Sequence, residues 1–323
     1  MLDFEFATCA TQGAREYQED MALARAVRTD AAEQRASDED SVTVPGAPVV
    51  SGQAVGTLSE HQPRLLAVLA DGMGGHAGGA LASRTVCEVF FETLDASSGP
   101  LRDHLHGALV AANTAVAEKV ESDPVLSGMG STVIGVAFSD LGVDWVSVGD
   151  SPLLLYRRGE IALLNEDHSL APELDRMAEA GLMSQEEALR DPRRHMLRSA
   201  VTGDDLELVD QSRMSLQLEA GDYVVLASDG LQTLEASEIE RIISGYGGDG
   251  AAAVANALIR AVEAVRDPHQ DNATVVVVRA MTGPKASGRS PARDGAIAPA
   301  VSSGSGNTAD HGDAATFEAG NRS

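Results

Sequence analysis

The chain has 323 residues, enough for one large domain or two small ones, and 43% of them are hydrophobic, which supports a substantial core. Aromatic residues make up only 3%, so Ala, Val and Leu must fill that core. With 24 basic against 49 acidic side chains the formal charge is −25, and so negative a surface repels nucleic-acid backbones and anionic membranes.

Residues 4–10 (FEFATCA) alternate in hydrophobicity and read as a strand. A turn at Gly13 leads through REYQED to a second strand over Met21–Val27. The stretch 29–63 mixes acids, Gly, Pro and scattered Ser and Thr without periodicity. That is the composition of a flexible acidic insertion. RLLAVLA (64–70) is an apolar run of strand length. Leu81, Thr85, Val89, Phe90 and Leu94 mark one helix face, and Leu105, Leu109, Ala112, Val116 and Val120 a second. Short strands are expected at 131–138, 143–148, 152–158 and 160–165. Residues 170–200 are polar and helix-like, as in a surface flap. Strands at 214–218 and 222–228, helices at 236–244 and 249–266, and a buried strand at 273–279 complete the pattern. From 283 to 323 large apolar residues are scarce, and a disordered tail is expected. This order suits an α+β fold of antiparallel sheets with helices packed outside.

Cys9 and Cys87 are too few for a disulfide framework or a structural zinc site. No apolar run approaches the roughly 20 residues of a membrane span. The first residues carry Asp3 and Glu5 and no basic run, so a signal peptide is not expected. A cytoplasmic location follows as the expectation.

The acids fall in a pattern. Asp71 ends RLLAVLA and opens DGMGGHAGG; Asp150 lies in GDS, Asp229 in SDG and Asp271 in DN, while Glu19 and Asp20 open the second strand. Each adjoins an apolar strand. Carboxylates gathered at strand ends repel unless cations neutralise them, and hard oxygen ligands suit Mg²⁺ or Mn²⁺.

Read together, REYQED (15–20), ADGMGGHAGG (70–79), GMGST (128–132), VGDS (148–151), EDHSL (166–170), LASDGL (226–231) and DNATVVVV (271–278) resemble the metal-dependent protein phosphatase 2C family, especially its bacterial serine/threonine members. The resemblance spans about residues 4–280 and leaves out the 29–63 insertion and the tail. It implies a central sandwich of two antiparallel sheets, helices on both outer faces, a surface flap over 170–200, and one phosphatase domain over 1–282. By position, it makes Asp71 the bridge between two Mg²⁺ or Mn²⁺ ions. The Gly72 carbonyl would ligate one of them, and Asp229 and Asp271 the other. Glu19 and Asp20 would support the ions through water, and Asp150 with Asp229 would hold a weaker third. Arg15 would clamp the substrate phosphate. Two close cations make water acidic enough to attack phosphorus near neutral pH, so no protein nucleophile is required. His76 or a water on the third ion would protonate the leaving alkoxide. Gln18 and Pro152 stand where the family often has Asn and Arg, which touches loop packing more than chemistry. The implied activity is hydrolysis of phosphoserine and phosphothreonine in proteins. Phosphorylated proteins and a serine/threonine kinase are the expected partners, and the chain is expected to be a monomer. A phosphatase-like binding module and a hydrolase of small phosphate esters are the alternatives.

Other patterns compete weakly. Cys9–Arg15 fits Cys-x5-Arg, but Glu16, Glu19 and Asp20 would raise the thiol pKa, and a structural Cys is expected. GMGGHA (72–77) fits a dinucleotide fingerprint, yet Asp71 would face the pyrophosphate. His104 and His106 point to different faces of one helix. His168 is expected to organise the flap entrance. The basic cluster DPRRH, with His195, reads either as solvated surface or as a docking spot for phosphorylated substrate.

Overall fold

The computed structural model describes residues 2–27, 41–42, 50–54, 63–75, 77–95 and 100–283. Met1–Lys285 forms one compact unit. The tail expected from 283 onward lies, past Gly283, outside the described residues.

In chain order the strands are β1 (Leu2–Thr11), β2 (Asp20–Ala26), β3 (Ser41–Val42), β4 (Val50–Ala54), β5 (Leu65–Met73), β6 (Gly130–Ser131), β7 (Val133–Ser139), β8 (Gly142–Val148), β9 (Leu153–Arg157), β10 (Glu160–Leu163), β11 (Asp210–Gln211), β12 (Tyr223–Ala227) and β13 (Ala273–Thr282). The helices are α1 (Ala77–Asp95), α2 (Leu101–Ser122), α3 (Ala171–Glu179), α4 (Gln185–Arg190), α5 (Ala236–Tyr246) and α6 (Ala251–Val265). One sheet runs β10-β9-β12-β13-β1-β4 and the other β11-β8-β7-β5-β2-β3, with β6 paired to β5.

Period-two alternation sorts each strand's side chains between two layers. In β13, Val276 and Val278 face the opposite sheet, while Val275 and Val277 face α5 and α6. In β5, Leu65, Ala67 and Leu69 enter the inter-sheet core, and Leu66, Val68 and Ala70 meet α1 and α2. Both sheets are therefore covered on both faces, which explains the near-continuous apolar runs. Each fully buried Val or Leu contributes roughly 1.5–3 kcal/mol. On α2 the buried Leu105, Ala108, Leu109, Ala112 and Val116 follow helical spacing and face the second sheet. On α6, Val254, Leu258 and Val262 do the same against the first. Gly135 is needed in β7 because a Cβ there would lie 2.0 Å from the Phe90 ring of α1.

Two expectations need correction. The stretch 29–63 is not wholly an insertion. Val50–Ala54 pairs with Phe4–Thr8, and Ser41–Val42 pairs with Leu23 and Ala24, so each closes an open sheet edge with backbone bonds. Residues 28–40, 43–49 and 55–62 lie outside the described residues. Residues 214–218 are not a strand. They touch β8 through a lone bridge at Leu216 and Val143. The cause is side-chain competition: Trp145 N–H donates to the Ser212 hydroxyl, and the buried Asp144 carboxylate accepts from the Ser212 and Ser215 hydroxyls.

Candidate metal centre

The acids gather because antiparallel neighbours alternate direction. β5, β8 and β12 end at one edge of the sandwich, and β2 and β13 begin there. Asp20 and Asp71 are register partners across the β2–β5 pair. Asp229 follows β12, Asp271 precedes β13, and Asp150 follows β8. The β1–β2 loop carrying Arg15 lies at the same end.

An open cleft of about 670 Å³ sits there, lined by Arg15, Glu19, Asp71, Gly72, Asp150, Asp229 and Asp271, among others. Asp20 does not line it; its carboxylate is buried behind. His76 lies outside the described residues. Arg15 is exposed and paired with Asp271.

Backbone bonds fix the acids. The Asp71 carbonyl accepts from the Ser131 hydroxyl at 2.9 Å and Thr132 N–H at 2.9 Å, and Asp71 N–H donates to Thr132 Oγ1. Thr132 Oγ1 is 2.7 Å from Ser151 Oγ, so the GMGST and GDS turns meet under Asp71. Gly72 N–H donates to the Glu19 carbonyl. A Cβ at Gly230 would lie 1.9 Å from the Asn272 carbonyl, so only glycine lets the SDG and DN turns touch.

Asn272 and Ser228 sit inside the DNAT and ASDG motifs, and their work is visible only in the folded chain. Asn272 Oδ1 accepts from Glu19 N–H at 2.8 Å, while Nδ2 donates to the Gln12 and Tyr17 carbonyls at 2.8 and 3.0 Å. One buried amide thereby holds the Arg15 loop against Asp271. Gln270 adds a second tie, donating from Nε2 to the Gly230 and Asp271 carbonyls. The Asn272 contacts join residues more than 250 apart, and only an amide-sized polar residue beside Asp271 signals them.

Electrostatics make the site unstable without cations. Burial, then repulsion from Asp20, Asp229, Asp150 and Asp271, holds the Asp71 carboxyl well above its ordinary range. Burial pushes Asp20 up to about 7, with Asp229 and Asp271 adding to it. Burial and the neighbouring Asp229 also push Asp150 to about 7. Asp229 is raised by burial and by Asp271. Among the described residues no three His, Cys, Asp or Glu side chains are grouped as a ready-made metal cage. The donor chemistry nevertheless fits a hard divalent cation. The donors are all oxygens, they repel one another, and buried Asp20 Oδ1 and Asp229 Oδ1 accept no hydrogen bond.

A family model described as protein phosphatase 2C matches residues 54–246. This chain belongs to the protein phosphatase 2C family. Over 266 residues it is 35% identical to the serine/threonine protein phosphatase PstP of Mycobacterium tuberculosis, a match covering 80% of this chain and 45% of that protein. The chain thus spans less than half the length of that relative. A crystal structure of the Mycobacterium tuberculosis serine/threonine phosphatase PstP/Ppp matches with a TM-score of 0.63 at 27% identity, covering 87% of this chain and 100% of that one. A structure of the PstP catalytic domain in complex with two manganese ions matches with a TM-score of 0.62, at the same identity and coverage. The two antiparallel sheets with flanking helices are the phosphatase 2C fold expected from the motifs.

Within that fold the competing cysteine reading fails. Cys9 sits in β1, packed toward the α6 side, and burial pushes its thiol up, the opposite of a nucleophilic thiolate. His168 does tie the flap to the site: its Nδ1 accepts from Gly149 N–H at 3.2 Å, and its own N–H donates to the Gly149 carbonyl. Among the described residues no helix is long and apolar enough to cross a membrane.

Proposed function

We propose that this chain hydrolyses phosphoserine and phosphothreonine in proteins, using Mg²⁺ or Mn²⁺ held by Asp71, the Gly72 carbonyl, Asp229 and Asp271. The observation that carries the reading is the buried, mutually repelling set of carboxylates lining one cleft with Arg15 at its edge. The family membership and the two manganese ions of the PstP catalytic domain support it. Ions bound there supply charge neutralisation and activation of water for attack on phosphorus near neutral pH.

The chain's own residues do the rest. Glu19, fixed through its N–H by Asn272, faces the cleft beside Asp71. Asp20 acts from behind, its charge felt by Asp71. Asp150 and Asp229 would hold a weaker third ion. Arg15, exposed beside Asp271, would offer its planar fork to phosphate oxygens. A domain ending near residue 282, a cytoplasmic location, monomeric behaviour and a signalling role opposite a serine/threonine kinase belong to the same reading.

The test is turnover of a singly phosphorylated phosphothreonine peptide by protein stripped with excess EDTA and then supplied with Mn²⁺. Activity should vanish with the chelator and return with the ion. Full turnover in EDTA would overturn the metal-dependent reading.

A further inference from the structure

The cluster Arg193, Arg194, His195 and Arg198 follows α4, and its members do different work. Arg193 makes two bonds to Asp191, at 3.0 and 2.8 Å. Arg194 makes two to Asp175, at 2.7 and 2.9 Å, which pins the strap to α3. The Arg193 guanidinium is spent on an exposed pair two residues back and that of Arg194 on the tie to α3, and neither residue lines the cleft. His195 and Arg198 do line it, as do Asp204, Asp205 and Glu207 a few residues on. Arg198 pairs loosely with Glu173, at 3.9 Å.

The strap bearing these two side chains is laced to the acid turns. Arg198 N–H donates to the His168 carbonyl at 2.8 Å, and Leu170 N–H to the Met196 carbonyl at 3.0 Å. His168 is bonded to Gly149, next to Asp150. Val201 and Ser131 exchange backbone bonds at 2.8 and 3.0 Å, beside the turn that fixes Asp71. The strap position is therefore set by the same backbone that sets the acids.

We propose that His195 and Arg198 form a flap-borne half of the phosphate site, gripping phosphoryl oxygens of the substrate together with Arg15. The proposal rests on the phosphatase reading above. Asp204, Asp205 and Glu207 line the cleft as well as the metal acids, so a phosphoryl dianion entering it needs donors to hold it, and His195 and Arg198 stand with Arg15 as the basic side chains of the lining. Hydrogen bonds from a guanidinium and an imidazole N–H suit that role. The ligand recognised is the phosphoryl group itself, whatever chain carries it.

The experiment compares wild type, His195→Gln, Arg198→Gln, Arg198→Lys and Arg193→Gln, all with Mn²⁺. Substrates are a singly phosphorylated phosphothreonine peptide and p-nitrophenyl phosphate, with inorganic phosphate as competitive inhibitor. His195→Gln and Arg198→Gln should each raise KM for both substrates, and Ki for phosphate, by about tenfold, the scale of one lost charge-assisted bond. Arg198→Lys should recover part of the loss, and Arg193→Gln should leave all three constants unchanged. The proposal is overturned by unchanged KM and Ki, by a rise confined to the peptide, or by an equal effect from Arg193→Gln. Wild type inactive on both substrates with Mn²⁺ would instead overturn the underlying phosphatase reading.

Discussion

Ser228 Oγ donates to Asp20 Oδ2 at 2.7 Å and accepts from Thr274 N–H at 2.9 Å, so one hydroxyl joins the two sheets at the end that carries the cleft. Among the described residues, nothing donates to the buried Asp20 Oδ1. Ser228→Ala takes a donor from a buried carboxylate and an acceptor from a buried N–H. Stability should fall by about 1–3 kcal/mol. Urea denaturation measures this, and an unmoved midpoint would show that the tie between the sheets is energetically idle.

Asp71 is repelled by four neighbouring carboxylates. Asp71→Asn should therefore remove nearly all phosphopeptide turnover and, in chelator, raise the melting temperature relative to wild type. Loss of function with a gain of metal-free stability is the signature of an acid kept for cation binding. A variant that melts lower than wild type in EDTA would contradict it.

The same burial sets a pH dependence for metal-free protein. Asp20 and Asp150 titrate at about 7 in the fold, against an ordinary value of 3.8. Between those values the folded chain binds more protons than the unfolded one, so stability is greatest near the lower value and declines as pH rises through the folded one. Melting temperature in chelator should drop between about pH 4 and pH 7, and Mn²⁺ should stabilise most at the upper end. Thermal melts at stepped pH, with and without the ion, give the answer; a metal-free curve that rises across this window would refute the assignment.

Asn272→Ala deletes three bonds that hold the Arg15 loop and Glu19. The expected result is a destabilisation of about 1–3 kcal/mol and a raised KM for phosphopeptide, because Arg15 loses its placement. Asn272→Asp keeps the acceptor for Glu19 N–H but loses the donor and adds a charge beside Asp271, so it should not rescue. If combining Asn272→Ala with Arg15→Ala costs the full sum of the two KM effects, the residues act independently and the positioning role is wrong.

By itself the sequence determined the fold class and the acid set. Near-continuous apolar runs such as RLLAVLA and ATVVVV belong to strands covered on both faces, and the acids follow or precede those strands at turn glycines. Those signals are local, so they are legible. The edge strands at 41–42 and 50–54 were not, because their pairing is made by backbone groups that any composition supplies. Nor was the loss of the strand at 214–218, which depends on Asp144 reaching two serines about 70 positions away. Only the tertiary structure placed Asp20 behind the cleft rather than in it, gave Ser228 and Asn272 their work, and divided the basic cluster into Arg193 and Arg194, which stay out of the cleft, and His195 and Arg198, which line it. Each of these outcomes is a contact between distant segments, and the free energy of such a contact depends on what the rest of the chain brings alongside.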